Sequence, residues 1–102
     1  MIIENYKRLI RDKEYYKAHE ALEKLWFERR FEDNDEVKIL KGFINAAVSF
    51  ELHKRKRYTQ SKRVWYNYLK YRKLLFFSLP QEQRSTYYAL SRYVEEHYLC
   101  LK

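Results

Sequence analysis

Tight turns draw on residues that tolerate positive φ or that fix φ at about −65°. This sequence almost lacks them: Gly42 and Pro80 are its only glycine and proline in 102 residues. An all-β chain needs a turn every few residues, so long helices with short connections are expected instead. Disorder goes with few aromatics and low hydrophobicity, whereas here aromatic residues make up 19% and hydrophobic residues 46% of the chain. The length allows one hydrophobic core but not two. Residues 1–102 are therefore read as a single all-α domain, a compact antiparallel bundle of four to five helices.

The apolar spacing predicts where those helices run. Ile2, Ile3, Tyr6, Leu9 and Ile10 mark a first helix over 2–11. Tyr15, Ala18, Leu22, Leu25 and Trp26 mark a second from about Lys13 to Arg29. FEDND (31–35) reads as a loop, with Asn34 or Asp35 able to cap the next helix. That third helix, about Asp35 to His53, is apolar around most of its circumference, as a central helix should be. Its Gly42 and its Ala46–Ala47 pair leave room for a neighbour to approach. KRKR (54–57) reads as a break caused by charge repulsion and solvation. A fourth helix is expected from about Tyr58 to Phe77, with Val64, Trp65, Tyr68, Leu69, Leu75 and Phe76 inward. Pro80 suits the first position of a fifth, on which Tyr87, Leu90, Ser91, Val94, Tyr98 and Leu101 recur near heptad spacing.

Cys100 is the only cysteine, which excludes an intramolecular disulfide and a Cys-rich zinc site; it is expected to pack. The N-terminus lacks a secretory layout, and nowhere do 18 apolar residues run together, so no membrane span is expected. A cytoplasmic protein is the expectation.

Two stretches carry a resemblance. YYKAHEALEKLW (15–26) has the form Tyr-Tyr-x-Ala-His-Glu-x-x-Glu-x-x-Trp, and LKGFINAAVSFELH (40–53) is a small-residue helix ending at a histidine. Over about residues 5 to 76 the chain resembles the small bacterial and archaeal domain of unknown function 309. The resemblance implies an all-helical fold and assigns no activity. The family usually has Gln where this chain has Asn45, and a Gly-Ala pair where it reads TQSK (59–62).

The polar residues of these stretches are the first candidate site. His19 and Glu23 are i and i+4, neighbours on one helix face, and His19 stands on the apolar stripe. Glu20 lies about 100° around the helix, toward Tyr16 and Glu23. If the second and third helices pack antiparallel, Asn45 can reach the same cluster, with His53 farther along. One reading is a metal clamp of His19 and Glu23, with Glu20 or His53 added; neither HExxH nor Glu-x-x-His is present to support it. Another is acid/base catalysis by His19 and Glu23, without a companion nucleophile or phosphate cradle. The preferred reading is a buried network in which Glu23 or Asn45 satisfies His19 and registers two helices. No metal set and no cofactor are assigned, and Trp26 is expected to be a core residue.

The second candidate is electrostatic. The net charge is +8, yet no acidic residue occurs between Glu51 and Glu82, an interval with nine basic ones. The other 13 basic residues face 14 acidic ones, so the positive charge belongs to one segment. Lys54, Arg55, Lys56, Arg57, Lys62, Arg63, Lys70 and Lys73, interleaved with tyrosines, suit phosphate neutralisation and base stacking. Arg55, Lys62, Tyr66 and Lys73 are expected to share an outward face. No known nucleic-acid-binding motif accompanies them. The leading expectation is a non-enzymatic binding module for a nucleic acid or an acidic protein. A metal- or small-molecule-binding protein, or a hydrolase-like enzyme, using His19, Glu20 and Glu23 is the alternative. Eleven tyrosines are also compatible with an aromatic patch closing on a second copy as a homodimer.

Overall fold

Residues 2–76, 79 and 81–101 are described by the computed structural model. Five α-helices follow one another: α1 (Ile2–Arg11), α2 (Tyr15–Arg29), α3 (Asp35–Lys54), α4 (Tyr58–Arg72) and α5 (Gln81–Cys100). A short 3-10 helix, Lys73–Phe76, continues α4. No strand occurs among the described residues, and among them no helix is long and apolar enough to cross a membrane. The fourth α-helix, expected to reach Phe77, ends at Arg72, because the chain tightens there into the 3-10 turn; residue 77 itself, the expected inward side chain of Phe76 and the role of Pro80 lie outside the described residues.

The turns show how a chain with one glycine stops its helices. After α1, Lys13 takes φ +60°, its N–H bonding the Ile10 carbonyl while the Glu14 N–H bonds that of Leu9. After α3, Lys56 takes φ +63°, with its N–H on His53 and the Arg57 N–H on Leu52. This is a Schellman stop, usually given to glycine at the left-handed position. The KRKR break is thus a capped backbone turn and not only a zone of charge repulsion. The α2–α3 loop ends as expected: Asn34 caps α3, its side chain accepting from the Val37 N–H at 3.0 Å.

Helix α3 is the axis of the fold. Leu40, Phe43, Ala46, Ala47 and Phe50 are buried along it, and α2 and α4 flank it. The small residues do what their size allows. A Cβ on Gly42 would stand 2.7 Å from the Tyr71 Cβ, so α4 lies against the α3 backbone there. In the TQSK stretch, buried Ser61 donates to the Ser49 carbonyl at 2.7 Å, joining the same two helices.

Tyrosines fasten α1 and α5 to this layer. The hydroxyl of fully buried Tyr6 donates to the Phe43 carbonyl at 2.8 Å, and Tyr93 donates to the Lys7 carbonyl at 3.0 Å. Tyr6 buries its whole ring and Tyr93 part of its own, and each hands its one polar atom to a partner. Phe43, Phe50 and Glu36, which meet Tyr87 or His97 of α5, lie on one side of α3. On the opposite side Lys38, Lys41, Asn45, Val48 and Leu52, at helical spacing, form a strip that is only partly covered. The outer face of the α2–α3–α4 layer is therefore open.

Candidate functional site

His19 stands on this open side. Its Nε2 meets Glu23 Oε2 at 2.5 Å, one turn along the same helix, and its side chain keeps 23% of its exposure. The partner is thus on α2 itself and not on a neighbouring helix, so the pair does not set the register of α2 against α3. His19, with Tyr16, Val48, Glu51, Leu52 and Arg55, lines a groove of about 350 Å³ between α2 and α3. Among these lining residues, Arg55 Nε donates to Glu51 Oε2 at 2.6 Å, one turn back along α3.

The remainder of the expected polar cluster is dispersed. Asn45 turns its amide back on its own helix, donating to the Lys41 carbonyl at 2.9 Å, and faces α4 instead of His19. His53 packs edge-on against Tyr58 at the far end of α3, and Glu20 is exposed. Among the described residues no group of three or more His, Cys, Asp or Glu is arranged to hold a metal ion. Trp26 packs against the core from its edge: it is half-buried, with the Lys41 ammonium 4.4 Å from its ring centroid. Cys100 is exposed, because the buried stripe of α5 runs through Tyr87, Leu90 and Val94 and leaves its last turn outside.

The basic residues separate into two groups. Lys54 donates to the Lys13 carbonyl at 3.1 Å and Arg55 pairs with Glu51, so these two serve the end of α3. Lys56 and Arg57 occupy the exposed turn. Arg55, expected on the face of the fourth helix, is not there. That face is made by Lys62, Arg63, Tyr66, Lys70 and Lys73, all exposed and spread over an arc of about 100°. None of its four cations is ion-paired with a carboxylate among the described residues. Arg72, on the inner side, is instead drawn to Glu95 at 2.8 Å.

The family model described as "Domain of unknown function (DUF309)" matches residues 3–64, more than half of the chain. The chain belongs to the domain of unknown function 309 family. No significant match was found among curated proteins or among solved structures. The DUF309 match covers α1, α2, α3 and the first two turns of α4, a shorter reach than the 5–76 of the sequence resemblance. The His19–Glu23 pair and Trp26 lie within it; Tyr66, Lys70, Lys73 and all of α5 lie beyond it.

Sequence reasoning missed the polar contacts that tie α5 to the helices before it. The Tyr15 hydroxyl lies 2.6 Å from His97 Nε2. Burial lowers the His97 pKa from its usual 6.5, with Lys13 repelling the cation further. Burial, aided by Glu51, pushes the Tyr15 phenol up to about 12. Tyr68 donates to Glu95 at 2.9 Å, and Tyr87 to Glu36 at 2.7 Å. Arg29 holds Glu36 at 2.8 Å and also reaches Glu32. The available signal was His97 itself, three residues past Val94 on the apolar stripe of α5.

Proposed function

We propose that this protein is a small helical binding module, without catalysis of its own, that takes an acidic polymer on the outer face of α4. The observation that carries this reading is the arc of Lys62, Arg63, Lys70 and Lys73 around Tyr66, exposed and without carboxylate partners among the described residues. Like charges gathered on one helix face, with no carboxylate among the described residues to offset them, repel one another. A polyanion would relieve that repulsion and release its own counterions. Nucleic acid and acidic protein both meet the requirement, and the cytoplasm offers both.

Retention on immobilised heparin across a salt series tests it. Four phosphate-like contacts give a log–log salt slope of roughly −3 to −4. Changing Lys62, Arg63, Lys70 and Lys73 to Glu should abolish retention while leaving the helical signal intact. A wild type that fails to bind at low salt refutes the reading.

A second reading rests on the groove beside His19, whose volume lies in the range of small-ligand sites, about 300–1,000 Å³. There the His19–Glu23 pair would orient a small molecule or exchange its proton. Ligand-induced thermal shifts that vanish in His19→Ala would support it; a panel of metabolites without any shift would not.

A further inference from the structure

We propose that the acidic polymer is a single-stranded nucleic acid, with its phosphates on the α4 cations and its bases on aromatic rings at the α2–α3 turn. This rests on the polyanion reading and adds the second half of the surface. Two open hollows lie side by side on the outer face of the helical layer, sharing Lys41 and Tyr71. One, of about 490 Å³, is bounded by Asn45, Asn67, Lys70 and Leu74. The other, of about 480 Å³, is bounded by Trp26, Arg30, Phe31 and Val37. Lys70 belongs both to the first hollow and to the basic face, one helical turn from Tyr66. A continuous path therefore runs from Tyr66 through Lys70 and Lys41 to Phe31.

Two rings on this path, Phe31 and Tyr66, are not explained by the fold. Phe31 is 88% exposed and Tyr66 64%, so neither gains from burial. The Arg30 guanidinium stands 3.5 Å from the Phe27 ring centroid and 4.5 Å from that of Phe31, a cation stacked on two aromatic faces. Phosphate-neutralising groups alternating with open rings are what a single strand uses, because its bases present both faces for stacking. A duplex keeps those faces inside its own stack. An acidic peptide matches the charge but offers no flat ring to the aromatics. The side-chain amide of Asn67 makes no hydrogen bond among the described residues, and the Asn45 carbonyl oxygen is likewise unused. Both remain available to base edges. Of the carboxylates near the Phe31 hollow, Glu32 is engaged by Arg29 and Asn34, leaving Asp33 at the rim.

The two tryptophans provide the assay, since Trp65 is buried and stacked on Tyr98 while Trp26 lines the path. Tryptophan fluorescence is titrated, at one salt concentration, with short oligouridylate, oligothymidylate, a mixed-sequence duplex and polyglutamate. The expected result is quenching by the single strands, with affinity on the order of 10-fold or more above the duplex and polyglutamate. The uridylate and thymidylate arms distinguish RNA from DNA. Phe31→Ala and Tyr66→Ala remove exposed rings, so both variants should melt like wild type. Each should weaken single-strand binding on the order of 10-fold while heparin retention stays unchanged. Equal affinity for duplex and single strand, or indifference to both substitutions, overturns base stacking and leaves the polyanion reading intact. Tighter binding of polyglutamate makes the partner an acidic protein and overturns the inference. Loss of all binding, heparin included, defeats the reading beneath it.

Discussion

Gly42→Ala is the most informative perturbation of the fold. The new Cβ would stand 2.7 Å from the Tyr71 Cβ, whereas carbon atoms rest at about 3.5–4.0 Å. The gap must therefore open by about 1 Å. The Tyr71 atom is attached directly to the α4 backbone, so no rotamer change relieves the contact and the helix itself has to move. Overpacking of this kind costs about 1–3 kcal/mol. In the other direction, replacing glycine by alanine inside a helix returns about 0.8–1.0 kcal/mol. With the collision near the backbone, the upper part of the range applies, and a net loss of about 1–2 kcal/mol is expected. For a domain of this size that is a fall in Tm of roughly 4–16 °C, read by thermal and urea denaturation at unchanged m-value. The background decides the cause. With Tyr71→Ala the offending Cβ persists and Gly42→Ala still destabilises; with Tyr71→Gly it is gone and Gly42→Ala becomes neutral or stabilising. A single Gly42→Ala variant as stable as wild type would refute the close α3–α4 approach.

Lys56→Gly and Lys13→Gly should each raise stability by about 0.5–1 kcal/mol, since both lysines hold a left-handed backbone conformation that costs side-chain-bearing residues about 1–2 kcal/mol; denaturant midpoints check this. Tyr6→Phe should cost about 0.5–1.5 kcal/mol by removing the buried hydrogen bond to the Phe43 carbonyl, measured by urea unfolding. Stability should also fall on mild acidification. The folded pKa of His97 is depressed, so the unfolded chain binds its proton more readily. The contribution is complete above the unfolded value of 6.5 and is lost as pH falls through the folded one. Melts between about pH 7.5 and pH 5, above the range of ordinary carboxylates, should show this loss in wild type, and His97→Gln should flatten it.

Local pattern alone determined most of the architecture. The i, i+3/i+4 recurrence of Tyr6, Leu9 and Ile10, and of Tyr15, Ala18 and Leu22, depends only on neighbours along the chain, and it fixed α1 and α2 to within two residues. Asn34 announced the start of α3, and the acid-free interval marked α4 as the cationic helix. The His19–Glu23 contact was legible for the same reason, being one turn of a helix. The tertiary structure decided what crosses between helices. Asn45 and His19 sit on flanking sides of a shared face, yet the rotation of α3 turns Asn45 toward α4 and away from α2. Trp26 continues the apolar stripe of α2 but emerges beside Lys41 because α3 presents its open strip there. Tyr15 finds His97 across 82 residues of sequence. The helical period states which residues share a face, but not how far a helix is rotated or shifted against its neighbour. That rotation is settled by the packing of the whole core, with Gly42 admitting Tyr71 at one point and Ser61 reaching Ser49 at another.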